Sequence, residues 1–252
     1  MMGKYSDDNL RPLIEKNKRF ESVCIYCGYY PAKSKEHLPS RVFLDTPYPD
    51  QYNIVPACEK CNIGFSADEV YVSCFVDRLR NALSDNKIPL REKTISAFSH
   101  DKGLAGIICE QIRTENNKIF INYQPEPFSK ILIKLAKGHL CQAQDKVVDS
   151  NCSVECNFKL KPDLSEDELY HFEELPLADK ASECGSDFTH DLLIVEGIGL
   201  PSQIVVPWNE VQDGNYRYLT YFEQDNYVVR IVICEMLFAE VLLSESYSTD
   251  GI

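Results

Sequence analysis

Val70, Cys74, Phe75, Leu79 and Ala82 recur at three- and four-residue intervals along "SADEVYVSCFVDRLRNALS", residues 66–84, and predict a helix with one apolar face. Ser66 followed by Glu69 has the form of a capping box, which starts that helix at Ser66 and leaves 58–65 as a turn or a separate short helix. On this reading Asp68 and Glu69 are first-turn acids favoured by the helix dipole, with extra metal ligands as the lesser alternative. A shorter amphipathic helix is expected over residues 7–20, with Leu10, Leu13, Ile14 and Phe20 inward. "SKILIKLAKGHLCQAQ" (129–144) predicts another, with Ile131, Leu132, Leu135 and Leu140 inward. Between residues 21 and 62 the apolar pieces are short and broken by Gly and Pro, and "RVFL" and "YNIVPA" read as the strands of a small hairpin-like unit. "SDNKIPL" (84–90) marks a boundary that divides the chain into 1–85 and 86–252.

Beyond that boundary "NKIFINY", "LLIVEGIG", "SQIVVPW", "YRYLTYF" and "YVVRIVICEMLF" predict strands, with "QDGN" and "EQDN" as turns. The pattern is that of an antiparallel meander, so the second part reads as an α+β domain with accessory or regulatory character.

Composition narrows the class. Of 252 residues 44% are hydrophobic and 26% charged, as in ordinary globular proteins. The most apolar late stretch, "IVICEMLFAEVLL", carries Glu235 and Glu240 and is too short to span a bilayer, so no membrane partner is expected. The first twenty residues hold no apolar run of the secretory kind. With eleven cysteines in the chain, this predicts a reducing, cytoplasmic setting in which paired cysteines bind metal. The net charge of −13 opposes unselective attraction to nucleic acid. That charge is uneven: residues 163–191 hold ten acids against Lys180, whereas the first 41 residues hold eight Lys and Arg against five acids. A local nucleic-acid contact near the N-terminal end therefore stays open.

The strongest chemical signal is Cys24-x2-Cys27 followed by Cys58-x2-Cys61. Each C-x2-C step points two thiolates at one ion, and two steps complete a tetrahedral shell suited to a closed structural zinc site. Such a shell has no open position, so this zinc would be scaffold and any chemistry must lie elsewhere.

The segments "CIYCG", "SKEHLPS" and "NIVPACEKCN", with the helix after them, resemble the HNH endonucleases, the ββα-metal superfamily, in their four-cysteine, endonuclease VII-type variety. The resemblance covers roughly residues 24–80. It implies that His37 is the general base, that Asn53 orients it, and that Glu36 and Asn62 hold a catalytic Mg2+ or Mn2+. It further implies a metal-dependent nuclease acting on nucleic acid, DNA in the first instance, with Lys33, Lys35 and Arg41 as backbone-phosphate contacts. Toxins and anti-phage effectors of this kind exist, and a regulatory or delivery protein, or self-assembly, would suit so acidic a chain. Because neighbours on a strand face opposite ways, Glu36 and His37 can serve one site only where the strand bends or ends; Pro39 suits that. The alternative reading is a catalytically inactive zinc-stabilised module that binds DNA or protein.

Overall fold

Strand β1 (Ser34–Leu38) pairs antiparallel with β2 (Asn53–Ala57), setting Ser34 against Ala57, Glu36 against Val55 and Leu38 against Asn53. The computed structural model describes residues 23–49, 53–84, 87–116, 118–144, 147–148, 152–178, 193–195 and 203–244; the helix expected over 7–20 lies outside them. Between the two strands "RVFL" forms a 3-10 turn, Arg41–Phe43, instead of the expected strand. Phe43 and Leu44 are fully buried there, so the apolar run marks an inward-facing loop. Such a loop must satisfy its backbone carbonyls without a ladder. Lys93 Nζ donates to the carbonyls of Arg41 and Leu44, at 2.5 and 2.6 Å, and the Arg91 guanidinium donates to that of Val42.

Helix α1 (Glu59–Leu83) is continuous over 25 residues, a length of about 37 Å. It does not start at Ser66. The Ser66 hydroxyl donates back to the Asn62 carbonyl at 3.2 Å, one turn earlier, as a mid-helix serine does. The cap is the Cys58 sulfur, which accepts from the Cys61 N–H at 3.4 Å. Cysteine is not among the usual capping residues, so the pattern of Ser66 and Glu69 misplaced the start. Asp68 and Glu69 are accordingly mid-helix residues, not first-turn acids. Val72, Phe75, Val76 and Leu79 form the buried stripe.

Two helices without a counterpart in the sequence reading follow, α2 (Glu92–His100) and α3 (Lys102–Gln111), then a hairpin of β3 (Ile112–Glu115) and β4 (Lys118–Ile121). Helix α4 (Pro125–Gln144) comes next. Its Phe128, Ile131, Leu132, Leu135, Ala136 and Leu140 are all fully buried, the large ones each stabilising by about 1.5–3 kcal/mol relative to exposure. One flank of α4 packs on α1 and another on the C-terminal strands. Gly138 eases the approach: a Cβ there would lie 2.6 Å from Leu38 Cδ1 on β1, so that side chain would have to shift.

The remaining elements are β5 (Ser153–Leu160), α5 (Glu166–Glu173), β6 (Leu177–Ala178), β7 (Leu193–Val195), β8 (Gln203–Val205), β9 (Asn209–Gln212), β10 (Tyr216–Glu223), β11 (Asn226–Ile233) and β12 (Leu237–Ser244). They form a five-stranded antiparallel sheet in the order β5-β12-β11-β10-β9 and a small sheet β6-β8-β7. "YVVRIVICEMLF" is not one strand: it reverses at Cys234 and Glu235, which take φ values of 53° and 55°. Left-handed residues at a tight turn are usually Gly, Asn or Asp, and neither residue here announces one. Arg217 Nε holds the turn through Glu235 at 2.9 Å.

Leu38, Val55 and Phe75 share one hydrophobic cluster with Leu135, Tyr216, Ile231 and Leu237. The fold is thus mixed α and β, with five α-helices and antiparallel sheets among the described residues. No helix among them is long and apolar enough to cross a membrane.

Candidate metal centre and adjoining polar site

The four cysteines come from two turns that the backbone fixes independently. Cys24 and Cys27 flank a loop closed by Gly28 N–H to the Cys24 carbonyl at 2.8 Å and by Cys24 N–H to the Tyr30 carbonyl at 3.0 Å. Gly28 sits at φ +69°, the left-handed region that its lack of a side chain permits. Cys58 and Cys61 begin α1, directly after β2. One ligand atom from each of the four lies within 4.8 Å of the others, and Cys27 and Cys58 sulfurs are 4.0 Å apart. Four thiolates 2.3 Å from one zinc stand about 3.8 Å from each other, so the cluster is dimensioned for such an ion.

Crowded thiols resist ionising together. Burial pushes Cys24 up, and burial with hydrogen bonding to Cys58 drives Cys61 up further. Cys27 goes the other way: burial opposes its ionisation, but N–H groups of Tyr29 and Tyr30 and its neighbouring thiols outweigh that and bring it down to about 7. A divalent cation at the centre would favour all four thiolates. These residues could hold zinc, and their side chains form a small buried cluster with Ala57.

Asn62 follows Cys61 in the first turn of α1, and its Nδ2 reaches Ser34 Oγ at 3.4 Å. Ser34 and Glu36 share a face of β1, so Glu36 and Asn62 meet on the same side of the hairpin. Glu36 is 7% exposed. Its Oε1 accepts from Lys134 Nζ at 2.7 Å and from Ser40 Oγ at 3.1 Å. Burial pushes its carboxyl up, against the pull of Lys134. Among the described residues neither Glu36 Oε2 nor Asn62 Oδ1 makes a hydrogen bond. Both are hard oxygen donors of the kind that Mg2+ or Mn2+ takes.

β1 runs in unbroken register through Leu38, without the expected bend at Glu36 and His37, so His37 occupies the opposite face from Glu36. It is half-buried, and burial lowers its imidazole below the ordinary histidine value. Arg41 Nη2 lies 2.9 Å from His37 Nε2. A guanidinium only donates, so Nε2 is the unprotonated nitrogen in this contact. Asn53 stands opposite Leu38, and side chains directly opposite in an antiparallel pair share a face. Its register position is therefore on Glu36's side of the hairpin. Of the expected phosphate contacts, Arg41 adjoins His37, Lys35 alternates onto His37's face and Lys33 is exposed just before β1.

Lys134, Ser40, Glu69 and Lys93 complete this region. Glu69, the lesser candidate metal ligand, is found bonded to Lys134, whereas the other three were not legible as part of it. Lys134 stands inside the apolar run "ILIKLAKGHL", and a lysine at an inward position was the one available signal. His139, on the same helix, is a packing histidine: fully buried, stacked on Tyr218 and 2.6 Å from the Tyr216 hydroxyl. Asp68 pairs with Lys130 at 2.5 Å.

Neither family models, nor curated proteins, nor solved structures yield a match for this chain.

Proposed function

We propose that the chain is a metal-dependent HNH endonuclease that hydrolyses phosphodiester bonds of nucleic acid, DNA first. The observation that carries this reading is the order β1-β2-α1 with one cysteine pair just before β1 and the other at the start of α1. Glu36-His37 lies on the first strand and Asn62 lies one residue past the last thiol. Zinc on Cys24, Cys27, Cys58 and Cys61 is the scaffold. Glu36 and Asn62 are the protein ligands of Mg2+ or Mn2+, which when bound neutralises charge on the scissile phosphate and leaving oxygen. His37 receives the proton of the attacking water at Nε2; an imidazole kept neutral near working pH suits that role. Arg41 must release Nε2 for this, and a phosphate oxygen is the acceptor that would draw it away, with Lys33 and Lys35 as further backbone contacts. Asn53, opposite Leu38 and on Glu36's side of the hairpin, is not set beside the His37 imidazole by its register, so the orienting role expected for it is not part of this reading.

The net charge of −13 favours delivery to substrate by a partner protein or by self-assembly. A cytoplasmic toxin or anti-phage effector fits that requirement. Rapid cutting of plasmid by the purified chain alone at physiological salt would remove the motive for a partner.

One observation favours a second reading, a zinc-stabilised binding module without catalysis. Both candidate groups are already engaged, Glu36 by Lys134 and His37 by Arg41. His37→Ala separates the two: the nuclease loses strand cleavage with zinc and fold intact, whereas the binding module keeps its biological activity.

A further inference from the structure

Lys134, carried by α4, reaches Glu36 from 98 positions away in the chain. It is fully buried. An ammonium has three N–H donors, and here three acceptors surround it: Glu36 Oε1, Ser40 Oγ at 2.7 Å, and Glu69 Oε1. The Ser40 hydroxyl, which accepts from Lys134, lies within reach of both carboxylates, and its single proton serves one of them at a time. The rings of Phe65 and Tyr26 flank the ammonium at 5.4 and 5.8 Å. Every donor is used, and the glutamates stay close together because the cation lies between them; without it two buried like charges would repel. The contact engages Oε1 of Glu36 and leaves Oε2 outside the network.

We propose that Lys134, with Glu69 and Ser40, is a positioning set that fixes the Glu36 carboxylate through Oε1 and presents Oε2 to the divalent ion. The inference rests on the nuclease reading above and adds to it Lys134, which lies outside the HNH-like segment, with Ser40 and Glu69 from within it. Partners that hold a metal ligand from behind typically change metal affinity or activity 10- to 100-fold when removed. The set also ties the site to the rest of the chain. Lys134 is carried by the helix whose Ile131 and Leu135 pack in the common core and whose Gly138 meets Leu38 of β1. Any shift of α4 must therefore move the Glu36 carboxylate.

The test is Mn2+ binding to the zinc-loaded full chain, by calorimetry, with zinc content and thermal melting recorded for each variant. Lys134→Met should bind Mn2+ roughly 10- to 100-fold more weakly than wild type. Leu135→Ala, one residue along the same helix, is the control for damage to packing: it should lower the melting temperature and leave Mn2+ affinity within about twofold, since it touches no donor of the set. Ser40→Ala removes one donor and keeps the ammonium, so it serves if Lys134→Met does not fold, and a several-fold weakening is expected. Unchanged or tighter Mn2+ binding in Lys134→Met or Ser40→Ala would overturn the positioning role while sparing the nuclease reading. Equal weakening in Leu135→Ala would reduce Lys134 to a packing element. A wild type that binds no Mn2+ defeats the metal ligation of the parent reading, and this inference with it.

Discussion

Arg41 Nη2 donates to His37 Nε2 across 2.9 Å, so the nitrogen best placed to act as a base is covered by the side chain best placed to bind a phosphate. The guanidinium also stands 5.5 Å from the Tyr48 ring centroid, which fixes its far side. In the nuclease reading these two roles follow in sequence, because moving Arg41 onto a phosphate uncovers the imidazole. Arg41→Ala should then cut kcat/KM by about 10- to 100-fold, the size of one charge-assisted contact, mainly through KM. Steady-state kinetics on a short duplex measure the split. Faster cleavage in the variant would show that Arg41 only obstructs His37.

The thiol cluster makes a prediction independent of catalysis. Metal analysis of the purified chain should find one zinc, and Cys58→Ser should abolish it, since a hydroxyl replaces one thiolate ligand while serine can still cap α1. The loss should exceed about 3 kcal/mol, because a structural zinc contributes directly to folding. Cys141→Ser, a buried cysteine outside the cluster, should keep its zinc. A zinc-free native protein of unchanged stability would remove the scaffold role.

Lys93 links pH to the loop that carries Arg41. Burial, then the nearby Arg91, brings its ammonium down to about 8 from an ordinary value of 10.5. Between those values the unfolded chain holds more protons on this group than the folded one, so its contribution to stability rises with pH across that window. Below about pH 8 the cost is fully present. Denaturant titrations of wild type and Lys93→Met at pH 7 and pH 9.5 should therefore show the difference moving in wild type's favour at the higher pH. The change should be on the order of 1 kcal/mol, reduced by the residue's partial exposure. A pH-independent difference would refute the assignment.

Gly138 tests the contact between the two halves of the chain. Gly138→Ala drives a methyl group onto Leu38, which is 2% exposed and has little room to turn. Overpacking of this kind costs about 1–3 kcal/mol, against the modest gain from alanine's better helix propensity. Urea unfolding checks it. A more stable variant would mean that Leu38 yields freely.

What could be read in the chain was what local chemistry writes. The two C-x2-C pairs pointed to the thiol cluster, and the apolar spacing of Ile131, Leu132 and Leu135 gave the inward face of α4. Ser165 and Glu168 do form a capping box, while the similar pair Ser66 and Glu69 does not, because Cys58 had already started that helix. The turn at Cys234 and Glu235 was illegible, being held by Arg217 and the sheet and not by a turn-forming residue. Lys134 was hidden for the same reason. A charge inside an apolar run acquires its meaning only from Glu36 and Glu69, which are distant in sequence.

In the nuclease reading Glu36 and Asn62 on one face of β1 and His37 on the other act on one phosphodiester at the end of the strand. The most direct measurement is nicking of supercoiled plasmid by zinc-loaded wild type and His37→Ala, each with EDTA, Mg2+ or Mn2+. Wild type should nick only with added divalent ion, and His37→Ala should lose at least about 100-fold with zinc content and melting unchanged. Metal-dependent nicking that survives intact in His37→Ala would contradict that reading.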